Sequence, residues 1–190
     1  MTGGQTRPLL GRRVLLRAPV EGDAREFIGL NRASLWFHRG LVAPPTDEPR
    51  FLEYLERCRR PDAASFLICL TQSKAIAGAI NLSQIFRGGF QNAYLGYFMG
   101  ASFTGKGYGT EALQLMLRHA FKDLKLHRVE ANIQPGNVAS IAMVQRAGFV
   151  REGYSKRYLK ICGKWRDHER WAMIAEDWKP NARQAASRSL

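Results

Sequence analysis

The chain has 190 residues, 45% of them hydrophobic and 11% aromatic, enough to bury a sizeable core and to form one domain rather than a disordered segment. Its 29 Lys and Arg against 16 Asp and Glu give a net charge of +13 over both halves, which suits polyanions such as nucleic acid, a ribosome or a phosphate-bearing cofactor and serves solubility equally. Cys58, Cys69 and Cys162 form no Cys-x-x-Cys pair, His38, His119, His127 and His168 lack ligand spacing, and neither a signal core nor a membrane-length apolar run occurs, so the expectation is a cytoplasmic protein with no disulfide frame, metal or membrane.

In chain order, Val14 to Arg17 is a short strand ending before Pro19, and Asp23 is placed to cap a helix with apolar positions Ala24, Phe27, Ile28 and Leu35. Trp36-Phe37-His38-Arg39-Gly40 then reads as an aromatic loop, followed by Ala43-Pro44-Pro45-Thr46, which is extended or turned. Trp36 and His38 are candidates for an acceptor pocket; plugging of the core is the other reading, the more so for Phe37. Asp47 starts a second helix through Phe51, Leu52, Leu55 and Cys58. Ser65 to Leu70, Ala75 to Leu82 and Tyr94 to Met99 are strands separated by turn signals, most economically three antiparallel neighbours.

The next stretch, Ser102-Phe103-Thr104-Gly105-Lys106-Gly107-Tyr108-Gly109-Thr110-Glu111, leads into a helix marked by Ala112, Leu113, Met116, Leu117, Ala120 and Phe121. Glycines at a strand-to-helix turn let backbone N–H groups converge on an anion at the helix start, with Lys106 as a mobile positive charge. The spacing fits neither the dinucleotide fingerprint nor a P-loop, so a ligand-free turn is an equal alternative on this stretch alone. A strand from His127 to Ile133 follows, then a break at Pro135-Gly136 and a helix capped by Asn137 and closed by Gly148. Phe149 to Ile161 and Trp165 to Ala175 flank Cys162-Gly163-Lys164 as a hairpin.

Two segments together carry a resemblance: Thr104-Gly105-Lys106-Gly107-Tyr108-Gly109-Thr110-Glu111-Ala112, and Asn137-Val138-Ala139-Ser140 running to Ala147-Gly148-Phe149. They resemble the pyrophosphate motif and the Asn-x-x-Ser helix of the GCN5-related N-acetyltransferase (GNAT) family. Arg151-Glu152-Gly153-Tyr154 and Gly163-Lys164-Trp165-Arg166-Asp167-His168 are similar to its RimJ/RimL branch of ribosomal-protein N-terminal acetyltransferases. The resemblance implies an α/β (α+β) GNAT fold: a mixed central sheet of about six to seven strands, helices on both faces, and a V-shaped splay between the fourth and fifth strands. It covers residues 93 to 178 closely and the first ninety loosely. The expected domain is 1–178, with a flexible tail at 179–190.

The resemblance further implies that acetyl-CoA lies in the V, its pyrophosphate on backbone N–H groups from Gly105 to Thr110 and its acetyl carbonyl facing the Met99 N–H. Phe98, Met99, Thr104, Gly105, Lys106, Gly107, Tyr108, Gly109, Thr110, Asn137 and Ser140 are the implied cofactor residues. Thr104 stands where many members have Arg or Gln, and Val144 where many have a Tyr that protonates the departing thiolate. That role passes to Ser140, whose other reading is an ordinary first-turn serine. No carboxylate lies between Ala93 and Met99, so the first candidate for general base is Glu130, on the strand face it shares with Arg128 and Asn132; a salt bridge to Arg128 is the competing reading. Trp165, Asp167 and His168 join Trp36 and His38 as acceptor ligands, Asp167 and His168 also as second candidates for base.

The function expected is acetyl transfer from acetyl-CoA to a primary amine, the N-terminal amine of a (ribosomal) protein first, by direct attack in a ternary complex. A small amine such as an aminoglycoside, polyamine or amino acid is the alternative acceptor. A nucleic-acid-binding module is the more remote reading. Association with a ribosome and a monomer or homodimer complete the expected partners.

Overall fold

A computed structural model describes residues 7–180. The order of elements is strand β1 (Leu9–Leu10), β2 (Val14–Arg17), helix α1 (Ala24–Ala33), α2 (Leu35–His38), α3 (Glu48–Cys58), β3 (Ala64–Leu70), β4 (Ile76–Phe86) and β5 (Asn92–Met99). There follow α4 (Tyr108–Arg118), β6 (Arg128–Ile133), α5 (Val138–Ala147), β7 (Val150–Ile161) and β8 (Lys164–Ile174). The strands form one sheet ordered β1-β2-β3-β4-β5-β6-β8-β7, in which β5 and β6 are parallel and every other neighbour is antiparallel.

Eight strands replace the six to seven expected, the extra one being β1, two residues held against Leu15 and Leu16 of β2. The splay between the expected fourth and fifth strands is therefore the one between β5 and β6. The tail expected to be flexible lies, from residue 181 on, outside the described residues.

Each face of the sheet carries its own core. Leu113, Met116 and Leu117 of α4 and Val144 of α5 pack on one face against Leu16, Leu82, Val129 and Ala131. Phe27 of α1 and Phe51 and Leu55 of α3 pack on the other against Leu15, Leu67 and Ala79. Full burial of each of the larger of these side chains, from Val to Phe, contributes about 1.5–3 kcal/mol.

Two of the three expected helix caps form. Asp47 accepts the Arg50 N–H at 3.0 Å and Asn137 accepts the Ser140 N–H at 3.2 Å. Asp23 makes no cap of α1; its buried carboxylate accepts instead from the Arg17 guanidinium through two bonds of 2.7 and 2.6 Å. The aromatic stretch expected as a loop contains the one-turn helix α2, separated from α1 at Ser34. In the last hairpin Cys162 and Gly163 both take positive φ (48° and 79°) between Ile161 and Lys164, the backbone of a two-residue turn matched to strand twist.

Candidate active site

Strands β5 and β6 pair only at Asn92–Arg128, Ala93–Val129 and Tyr94–Glu130, so the last five residues of β5 run free of their parallel neighbour. Into that opening project the start of α4, the first turns of α5 and the α2 segment, enclosing a cavity of about 570 Å³. Tyr97, Phe98 and Met99 form its β5 wall, and Asn137, Ser140, Met143 and Arg146 its α5 wall. Thr104, Gly105, Gly107, Gly109 and Thr110 form the floor, and Phe37, His38, Leu41 and Val42 close the side toward α1.

The floor has the properties of an anion cradle. Gly105 and Gly107 hold positive φ (71° and 79°), and nothing lies within 4 Å of where a Gly105 Cβ would project. The first bonded N–H of α4 is that of Glu111, which donates to Gly107 O at 3.1 Å. The N–H groups of Tyr108, Gly109 and Thr110 have no backbone acceptor among the described residues, and the helix dipole adds to their positive field. This donor set fits a pyrophosphate.

Glu111 sits in the same helical turn, and Arg13 neutralises it. The Arg13 N–H donates to Glu111 Oε1 at 2.8 Å, its Nε donates to Oε2 at 3.0 Å and its Nη1 to Lys106 O at 3.0 Å, while the guanidinium covers the Tyr108 ring. Burial alone raises the Glu111 pKa, but the backbone and guanidinium bonds of Arg13 outweigh it and hold the carboxyl below its ordinary range. Lys106 turns its ammonium back to Ser102 O at 2.8 Å. Neither Lys106 nor Tyr108 lines the cavity, in contrast to the other expected cofactor residues.

On the α5 wall, the Ser140 hydroxyl is hydrogen-bonded to the Tyr97 hydroxyl. Burial pushes the Tyr97 phenol up to about 12. At the end of β5, His38 is buried and its Nε2 donates to the Met99 carbonyl at 2.9 Å, which fixes that peptide beside the splay. Ser34 accepts the Ala101 N–H at 3.0 Å, and Gln134 at the end of β6 donates to Gly40 O at 2.8 Å. The segment from Ser34 to Val42 is thus tied to both arms of the V.

The expected acceptor ligands and base are scattered. His38 is at the cavity, but Trp36 is 73% exposed, with its ring edge against Phe37, and it is Phe37 that lines the wall. Trp165 is exposed near the hairpin turn and does not line the cavity. Asp167 accepts Tyr154 Oη at 2.6 Å and the Arg157 N–H at 2.8 Å, and these two bonds hold its carboxyl below the ordinary range. His168 is buried under Tyr158, its Nδ1 donating to Arg166 O at 3.0 Å.

Glu130, the first candidate for general base, forms the salt bridge to Arg128 that was the competing reading. Arg128 Nε holds its Oε1 at 2.9 Å, with Asn92 Nδ2 at 3.4 Å, and the carboxylate does not line the cavity. No carboxylate does, among the described residues.

Tyr97, Leu41, Val42, Met143 and Arg146 line the cavity without having been expected there. Periodicity held the signal for three of them. Tyr97 shares the face of Met99 two residues on, and Met143 and Arg146 follow Ser140 at helical spacing.

Residues 13–150 match the family described as acetyltransferase (GNAT) domain. The "Probable N-acetyltransferase YjcK" of Bacillus subtilis is 34% identical over 177 residues, covering 89% of this chain and 98% of that protein. The [ribosomal protein uS5]-alanine N-acetyltransferase of Escherichia coli is 43% identical over 107 residues, 56% of this chain and 55% of that one. Among solved structures, Mycobacterium smegmatis RimJ in complex with CoA-disulfide superimposes with a TM-score of 0.81 at 30% identity, covering 97% of this chain and 94% of that chain.

Proposed function

Because the chain belongs to the GNAT family of acetyl-CoA-dependent N-acetyltransferases, we propose that its acceptor is the N-terminal α-amine of a protein, a ribosomal protein foremost, acetylated by direct attack in a ternary complex. The observation that carries the choice is the acceptor wall: Phe37, Leu41 and Val42 are apolar and no carboxylate joins them among the described residues. A polyamine or aminoglycoside is polycationic and needs carboxylates to replace its lost water. Glu130 and Glu152 are bound to Arg128, Glu169 to Arg151, and Asp167 to Tyr154, so the nearby acids already have partners of their own.

The α-amine also suits a wall without a carboxylate base. Its pKa is about 7.7–8.0, so an appreciable fraction is neutral at pH 7, whereas a lysine amine near 10.4 needs a strong base. The Met99 N–H would face the acetyl carbonyl oxygen, and loss of one such fixed donor commonly costs about a hundredfold in rate. The Ser140 hydroxyl would face the sulfur, with the pyrophosphate on the floor from Gly105 to Thr110. Bound acetyl-CoA supplies the activated thioester. The relative named as a uS5-alanine acetyltransferase supports a protein acceptor, and the exposed basic residues Lys156, Lys160 and Lys164 of the β7–β8 hairpin support docking on a ribosome in a reducing, cytoplasmic setting.

The test compares peptides with free N-termini, spermidine and an aminoglycoside by release of CoA thiol. The expected result is at least tenfold higher kcat/KM for a peptide, and its loss when the α-amine is blocked. Preference for spermidine would overturn the proposed acceptor while leaving the acetyltransferase intact.

A further inference from the structure

Ser140 has one proton, and the question is where it points. A serine in the first turn of a helix can turn its hydroxyl back to a nearby backbone carbonyl or outward. Here a second hydroxyl decides. Tyr97 and Ser140 lie 43 residues apart on facing walls of the cavity and share one hydrogen bond. A phenol is a stronger acid than an alcohol and therefore the better donor. The Tyr97 hydroxyl also has no other partner among the described residues. If Ser140 donated instead, the phenol proton would lack a protein acceptor on a largely buried side chain, which is unfavourable. Tyr97 therefore donates, Ser140 Oγ accepts, and the serine proton is left free for the cavity.

We propose that Tyr97 is a positioning residue which fixes the rotor of Ser140 so that its proton is presented to the sulfur of bound coenzyme A. The proposal rests on the reading of Ser140 as the sulfur-facing group and adds what makes that serine a directed donor. The Ser140 N–H donates to Asn137 Oδ1, so the main chain of that turn is held as well. The other titratable or charged groups lining the cavity among the described residues are His38, from α2, and Arg146, from α5.

The pair works by hydrogen bonding and not by handing over a proton. When the amine nitrogen bonds to the acetyl carbon and the C–S bond breaks, the electron pair stays on sulfur and the nitrogen loses its surplus proton to water. A thiol titrates near 8.5, far below the phenol held at about 12, so the proton stays on Tyr97 through the step. Donation by Ser140 stabilises the thiolate over the thiol and lowers the pKa of the bound thiol.

That shift can be measured without any acceptor. The thiol of CoA bound to the full chain is titrated by its thiolate absorbance, with the complex of desulfo-CoA subtracted to cancel the protein's cysteines and tyrosines. Bound thiol is expected to titrate about one pH unit below free CoA. Tyr97→Phe and Ser140→Ala should each abolish most of that shift, and the double variant should do no more than Ser140→Ala alone. With a peptide acceptor, Tyr97→Phe should lower kcat about tenfold with the KM for acetyl-CoA within twofold. A Tyr97→Phe variant that keeps the thiol shift, or whose loss adds to that of Ser140→Ala, overturns the proposal. An unshifted thiol in the parent protein overturns the reading of Ser140 together with it. Failure on every peptide with the thiol shift intact counts against the acceptor and leaves the Tyr97–Ser140 pair standing.

Discussion

A carboxylate in the first turn of α4 opposes any phosphate bound there, so Glu111 is an odd neighbour for the cradle unless its charge is answered. Arg13 answers it, and also holds the loop through Lys106 O. Replacing Arg13 with Ala should raise the KM for acetyl-CoA about three- to tenfold and change kcat less than twofold, because the damage is to cofactor affinity and not to the reacting atoms. Steady-state kinetics with both substrates varied checks this, and Arg13→Lys should recover only part of the loss, since an ammonium cannot make the same fork. Glu130→Gln, by contrast, should give a pH–rate profile that superimposes on the parent's. Its carboxylate serves Arg128, and the cost belongs to stability. The alternation of β6 placed Arg128 and Glu130 on one face, but only side-chain geometry could decide whether the acid served catalysis or its neighbour. The Tyr97–Ser140 bond was equally beyond the sequence, because it joins two elements whose spacing depends on the splay.

At the scale of elements, the parts with strong local signals were legible. Gly105 and Gly107 take the positive φ that glycine permits, Asn137 caps α5, and the alternating or apolar runs are strands. What local signals could not reach was short or decided by packing. Two residues of β1 carry no periodicity; pairing with β2 makes them a strand. One turn of α2 likewise has little pattern of its own, yet it sets which aromatic faces the cavity, because successive helical residues point about 100° apart. Phe37 turns inward and Trp36 outward as a result. The α2 segment is held at its far end by Gln134, whose amide donates to Gly40 O. Gln134→Ala should loosen the wall formed by Leu41 and Val42, raising the KM for the acceptor about threefold while that for acetyl-CoA stays put. Loss of that bond should cost stability by about 1 kcal/mol, measurable by urea denaturation.

For the whole molecule, the charge balance and the perturbed groups act in the same direction on stability. Burial holds the His168 imidazole below its ordinary value, although the Arg166 carbonyl and Asp167 pull the other way. Its folded pKa lies below its unfolded one, so the unfolded chain binds the proton more readily, and stability falls as pH drops below the unfolded value of about 6.5. Glu111, set by Arg13, and Glu152, set first by Arg128, are also depressed in the fold. Their contributions are complete above the unfolded carboxylate value of about 4.3 and are lost as pH falls through the folded values. With a net charge of +13, each proton taken up adds to self-repulsion. The urea midpoint should therefore hold between pH 7 and 8, decline first between pH 6.5 and 5, and fall more steeply below 4.5. His168→Phe should flatten the first decline and leave the second, whereas Arg13→Ala should weaken the second and leave the first. A midpoint that rises on acidification to pH 5.5 would contradict the sign for His168. Added salt should raise the midpoint most at the lowest pH, where the uncompensated positive charge is greatest.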